Sequence, residues 1–234
     1  MFKERFGIEI EFTGLMRSKA SKIVADYLNG TITELHNYYD TEEIKAPDER
    51  KWKVMYDGSL HCQRKVNGDI VNASRLYSCE LVSPILTYDE DINTLQEIVR
   101  LLRKAGEFTN GSCGIHVHLD GKDHDVRTLR NFINIIASKN DFLYKALEIK
   151  PERMRFCKKM DEHLINEINK KHPKSLDELA NIWYEGYYGT RNTHYHDSRY
   201  HFLNLHSFFT GNHTVELRGF NSELHAGKVR SYEH

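Results

Sequence analysis

Apolar and polar residues alternate from Arg5 to Thr13. Phe6, Ile8, Ile10 and Phe12 interleave with Gly7, Glu9, Glu11 and Thr13, the two-residue period of a half-buried strand. The period then lengthens over Ser18–Asn29, where Ile23, Val24, Tyr27 and Leu28 share a helical face and Asn29-Gly30 closes it. Strand patterns return over 31–39 and 51–56, separated by a charged loop around Pro47. Asp57-Gly58 signals a turn, and a strand over Leu76–Val82 stops at Ser83-Pro84. The clearest helix is Thr87–Ala105, with Ile92, Leu95, Ile98, Val99 and Leu102 on one stripe and Gly106 at its end.

Beyond it, Cys113–Asp120 reads as a strand and 125–147 as a helix with Leu129, Phe132, Ile133 and Ile136 buried. Ser175-Leu176-Asp177-Glu178 is a capping-box pattern opening a helix to about Glu185. Gly186–Arg199 is a loop of Gly, Tyr and His. Strands at 200–209 and 213–220 are joined by a Gly211-Asn212 turn, and a helix over Ala226–Glu233 closes the chain. The economical reading is one α+β domain over 1–234 with a mainly antiparallel sheet and a mostly helical segment at about 121–185. Helices 88–105 and 125–147 are expected to cover one sheet face while the other lines a cleft.

Composition sharpens this picture. The 11 Phe, 13 Tyr and 2 Trp argue against a disordered chain. A net charge of −1 gives no support for a nucleic-acid or membrane-surface partner. No apolar run approaches a membrane span, and Met1–Arg5 leads into a strand pattern rather than a signal peptide. Cys62, Cys79, Cys113 and Cys157 are widely spaced, as expected of a reducing cytoplasm. The unusual count is 14 His, which directs attention to metal or acid–base chemistry.

Strand parity locates that chemistry. Glu9 and Glu11 lie opposite the apolar face of their strand; His116, His118 and Asp120 share a face, as do Glu216 and Arg218. Polar-out alternation is the ordinary state of an antiparallel strand. Here, however, carboxylates and histidines dominate and lysine is absent from the three pairs. Carboxylates two residues apart repel unless a cation or proton lies between them. A carboxylate-rich set with one or two His suits Mg²⁺ or Mn²⁺ better than structural zinc, and Arg218 beside such ions suits phosphate oxygens. The ligand inferred from the residues is a metal-bound phosphate.

Five motifs then occur in order: Phe6-Gly7-Ile8-Glu9-Ile10-Glu11-Phe12, Asp57-Gly58-Ser59-Leu60, Cys79-Glu80-Leu81-Val82-Ser83-Pro84, Cys113-Gly114-Ile115-His116-Val117-His118 and Val215-Glu216-Leu217-Arg218. In this the chain resembles the putative amidoligase family, itself similar to glutamate–cysteine ligase and, more distantly, glutamine synthetase. The resemblance runs from residue 5 to about 230, with no motif in 121–190. It implies an antiparallel sheet forming a funnel for ATP and Mg²⁺, with helices on the outer face. It also implies activation of a small-molecule or peptide carboxylate as an acyl phosphate, followed by attack of an amine. By position it makes Glu9, Glu11, Glu80, His116 and Glu216 metal ligands expected to converge on one cation site. Arg218 becomes the phosphate-stabilising arginine and Asp57 a site-lining aspartate. His118 stands as a ligand, a group bonded to a ligand, or a proton carrier, and Arg199 as a second phosphate contact or a surface arginine. With no GxxxxGK or GxGxxG stretch, nucleotide binding would rest on metals and arginines. Relatives usually run past the last helix, so a truncated C-terminal helix is expected.

Three rivals stay open. A cysteine acyltransferase would use Cys113 near His116, against parity. A zinc hydrolase would recruit His116, His118 and the His194-Tyr195-His196-Asp197 cluster, which otherwise reads as a polar loop. A catalytically inactive relative would bind nucleotide or peptide without turning it over. Tyr184, Tyr187, Tyr188 and Tyr195 either flank a substrate entrance or pack a loop.

Overall fold

The computed structural model describes residues 5–223 and 225–232. It is α+β with a mostly antiparallel open sheet. In chain order the elements are β1 (Arg5–Phe12), α1 (Arg17–Leu28), β2 (Thr31–Leu35), β3 (Thr41–Lys45), β4 (Lys51–Met55), β5 (Gln63–Val66), β6 (Asp69–Asn72), β7 (Cys79–Val82), β8 (Leu86–Thr87) and α2 (Tyr88–Lys104). They continue with β9 (Gly114–Asp120), α3 (Val126–Ser138), α4 (Asn140–Ala146), α5 (Glu162–Lys171), α6 (Leu176–Trp183), β10 (Leu203–Asn204), β11 (Thr214–Asn221) and α7 (Ala226–Tyr232). Among the described residues no helix is long and apolar enough to cross a membrane. The chain forms two compact units, one drawing on residues up to Val117 and from Asn221 on, the other on His118–Phe220.

In the first unit the strand order is β9-β1-β7-β4-β3-β2. The alternation in β1 works as its pattern requires: Phe6, Ile8, Ile10 and Phe12 are buried, and α1 and α2 pack on the sheet. From α1 come Ala20, Val24 and Ala25, and from α2 Ile92, Leu95, Ile98, Val99 and Leu102. Asn29 ends α1 in the left-handed conformation, the cap that Asn tolerates better than most residues. β1 pairs antiparallel with β7, placing Ile10 opposite Leu81 and Glu11 opposite Glu80. β7 pairs in turn with β4, where Met55 faces Glu80.

The second unit is helical around the β10–β11 pair, in which Asn204 lies opposite Glu216. Its core gathers Leu129, Ile133, Ile168, Leu179, Trp183, Leu203, Phe208 and Val215. Gly219 in β11 lies against the ring of Phe202, where a Cβ would come within 2.0 Å of two ring carbons.

Several boundaries depart from the sequence pattern. The charged stretch before residue 51 contains β3, whose Ile44 is buried, and residues 63–72 form the β5–β6 hairpin. The helix expected over 125–147 breaks at Lys139 into α3 and α4. The strand expected over 200–209 shrinks to Leu203–Asn204, because the chain turns helically at Phe208–Asn212 instead of forming a Gly211-Asn212 hairpin. Ser175 caps α6 by accepting from the Glu178 amide at 3.2 Å, but Glu178 accepts from Lys174 N, so the box is half formed. The last helix ends at Tyr232, and Glu233 lies outside the described residues.

Candidate functional site

The polar face of β1 meets that of β7 across their shared register. Glu11 and Glu80 stand opposite each other, an arrangement of like charges that destabilises a sheet unless something neutralises it. Asp57, in the turn after β4, joins them: Glu11, Asp57 and Glu80 each offer an oxygen within 4.8 Å of the others. Glu9, Glu80 and His116 form a second group at the same spacing. Two triads therefore share Glu80.

The surrounding backbone holds these groups in place. Glu11 is 2% exposed and accepts from the Gly114 amide at 2.5 Å through Oε2, while its carbonyl accepts from Ser222 Oγ. Asp57 is fixed from both sides: its Oδ1 accepts from Ser59 N at 2.6 Å, and its backbone exchanges hydrogen bonds with the Ser78 hydroxyl at 3.0 and 2.7 Å. His116, 2% exposed, sits between two carboxylates. Its Nδ1 is 2.9 Å from Glu9 Oε2 and its Nε2 is 3.6 Å from Glu11 Oε1. The first is a hydrogen bond. The second is too long for one and suits two donors that share an ion, with the Glu9 contact setting the ring's orientation as carboxylate–histidine pairs do at metal centres. Four carboxylates and one imidazole make a hard, oxygen-rich donor set that fits Mg²⁺ or Mn²⁺.

Glu216 and Arg218 belong to the second unit. Their parity is as the alternation of β11 requires, and Arg218 Nη1 donates to Glu216 Oε1. Asn204 Nδ2 donates to the other oxygen, Oε2, at 2.5 Å. Arg153, 1% exposed, donates from Nη2 to the Arg218 carbonyl at 3.1 Å and so braces the strand from behind. His118 is half-buried two residues along β9 from His116, on the same strand face. Arg199 is half-buried, lying 5.3 Å over the Tyr195 ring with Nη1 donating to His194 O.

Asn204 and Arg153 were not marked by the sequence pattern. Asn204 has a weak signal, a polar residue among Phe202, Leu203 and Leu205. Arg153, in a basic stretch, has none.

The rival arrangements gain little. Cys113 is buried. His196 bonds to Ser198 and stacks on His206; His206 accepts from Tyr184 Oη at 2.7 Å and donates from Nε2 to Thr193 O at 3.0 Å. Burial holds His196, His201 and His206 below the usual imidazole range, so this is a packed cluster of neutral rings. Among the described residues, none of the metal-ready groups includes it.

A sequence model of the family described as putative amidoligase enzyme matches residues 3–234. No curated protein matches the chain.

Proposed function

Because the chain belongs to the family of putative amidoligase enzymes, we propose that it is an ATP-dependent carboxylate–amine ligase working through an acyl phosphate. The observation that supports this most is the pair of triads on the β1–β7 face, Glu11/Asp57/Glu80 and Glu9/Glu80/His116. So much negative charge in one place needs cations, and a phosphoryl-transfer site needs the same cations for its own charge.

Glu9, Glu11, Glu80 and His116 would hold the ions, and the family resemblance alone adds Glu216 to that set. When bound, Mg²⁺ neutralises phosphate oxygens and orients ATP. The substrate carboxylate attacks the γ-phosphorus and ADP leaves; an amine then attacks the acyl carbon and phosphate leaves. Arg218 stabilises charge on the transferring phosphoryl group, with Arg199 as a second phosphate contact. Asp57 lines the site, and His118 takes the proton that the attacking amine loses. Small-molecule and peptide carboxylates and amines are the substrate class. The free cysteines suit a cytoplasmic setting, where ATP is at hand.

The test is a screen of the purified protein with ATP, Mg²⁺ and pools of amino acids and peptides, read by ADP release and by mass spectrometry of amide products. Mg²⁺-dependent ADP formation with a matching amide is expected. Failure to form ADP with any pool, or stoichiometric zinc with hydrolysis of peptides, overturns the reading.

A further inference from the structure

The first unit carries another cavity, of about 600 Å³, lined by none of the residues assigned above. At its wall α2 ends. Gly106, at a φ of 102°, turns the chain, Glu107 N donates back to Leu102 O, and Phe108 pairs its backbone with Thr13. These contacts fix Glu107 where its side chain is only 5% exposed. Its Oε2 is buried with no hydrogen-bond partner. An unpartnered buried carboxyl is costly, and the cavity that Glu107 lines is ringed by basic side chains and one further acid, Glu223. Arg103 comes from α2 and Lys65 from β5, and neither forms an ion pair with any described residue. Lys65 lies 5.4 Å over the Phe108 ring. His225 and Lys228 complete the rim, Lys228 being paired to Glu223.

We propose that this cavity binds a tetrahedral oxyanion of the phosphate type, with Lys65 and Arg103 supplying positive charge and the protonated Glu107 carboxyl donating a hydrogen bond to one oxygen. Donors arriving from β5, α2 and the turn after α2 converge from different directions, which suits the several oxygens of a tetrahedral group better than a planar carboxylate. Burial pushes the Glu107 carboxyl up to about 8, against the pull of Arg103 and Lys65. At neutral pH it is therefore a donor, and above that range its own charge repels an anion.

Sulfate is the probe, since it remains a dianion across the range tested. Its binding is followed by calorimetry at low ionic strength at about pH 7 and about pH 9, an interval in which ordinary Lys, Arg and Glu side chains keep their charge state and an ordinary imidazole sheds only its last quarter or so of a charge, too little for a tenfold effect. Affinity falls about tenfold at the higher pH, as the competent protonated fraction drops from roughly nine-tenths to one-tenth. Glu107→Gln keeps a donor that does not titrate, so it binds sulfate with the same affinity at both pH values. Lys65→Ala, on an exposed strand that tolerates the change, weakens binding several-fold. No saturable sulfate binding, an unchanged pH dependence in Glu107→Gln, or acetate binding as tightly as sulfate overturns the proposal. None of these readouts depends on ligase activity, so they stand apart from the reading of the metal site.

Discussion

Arg218 shows how much one side chain is asked to do. It is buried, held by Glu216 through Nη1, and its carbonyl is braced by Arg153. Arg218→Lys keeps the charge but loses the planar fork that grips two oxygens at once. Turnover in amide formation is expected to fall at least about tenfold, the effect of ~1.4 kcal/mol on the barrier. Nucleotide affinity, measured alongside by calorimetry, weakens much less. Near-wild-type turnover would remove the proposed role. At this scale the sequence is readable where parity exposes a residue: Glu9, Glu11, His116, Glu216 and Arg218 stand out because each interrupts an apolar alternation on its polar phase. Glu107 was not readable, since nothing around Gly106-Glu107-Phe108 tells that the carboxyl turns inward. Burial of a residue in a turn is decided by the tertiary fold rather than by its neighbours in the sequence.

Strand pairing carries the next level of argument. Register, not sequence spacing, puts Glu11 against Glu80, and like charges directly opposite each other destabilise a sheet. Glu80→Gln removes one of the charges, so its melting temperature without divalent ions should equal or exceed that of the wild type. Addition of Mg²⁺ should then stabilise the wild type and leave the variant nearly unchanged, because an ion that binds only the folded state adds stability by mass action. A wild type indifferent to Mg²⁺ would contradict the cation site. Elements with a clear period, β1, α2 and β9, were legible within a residue or two. Those that escaped lack an apolar face of their own. The β5–β6 hairpin consists of Gln63-Arg64-Lys65-Val66 and Asp69-Ile70-Val71-Asn72 and is exposed almost throughout. Only its Asn67-Gly68 turn marks it, a strong hairpin signal. β3 buries Ile44 amid Glu42, Glu43 and Lys45, so its charges read as loop. Conversely, Phe202–Phe209 is as rich in apolar residues as a strand yet curls at Phe208, and Gly211 and His213 beyond it adopt positive φ.

Over the whole molecule, the abundance of histidine has a thermodynamic signature. His196, His201 and His206 are held neutral by burial, their folded-state affinity for protons lying below the unfolded value of about 6.5. The unfolded chain therefore binds more protons as pH drops below that value. Stability from these groups is present above about pH 6.5 and is lost as pH falls through their lowered range. In His206 the added proton also sets Nδ1 against the Tyr184 hydroxyl that it accepts from. The urea midpoint should decline steadily from about pH 7 to about pH 5, and a flat profile would refute the assignment of buried neutral rings. The close approach of Gly219 to Phe202 bears on the history of such chains rather than on their energetics. With a ring carbon at 2.0 Å from where a Cβ would stand, alanine at 219 has no room while phenylalanine occupies 202. Among relatives the two positions are bound to drift as a couple: a larger residue can enter at 219 only in a lineage where 202 has already shrunk, so the order of those two changes is set by geometry.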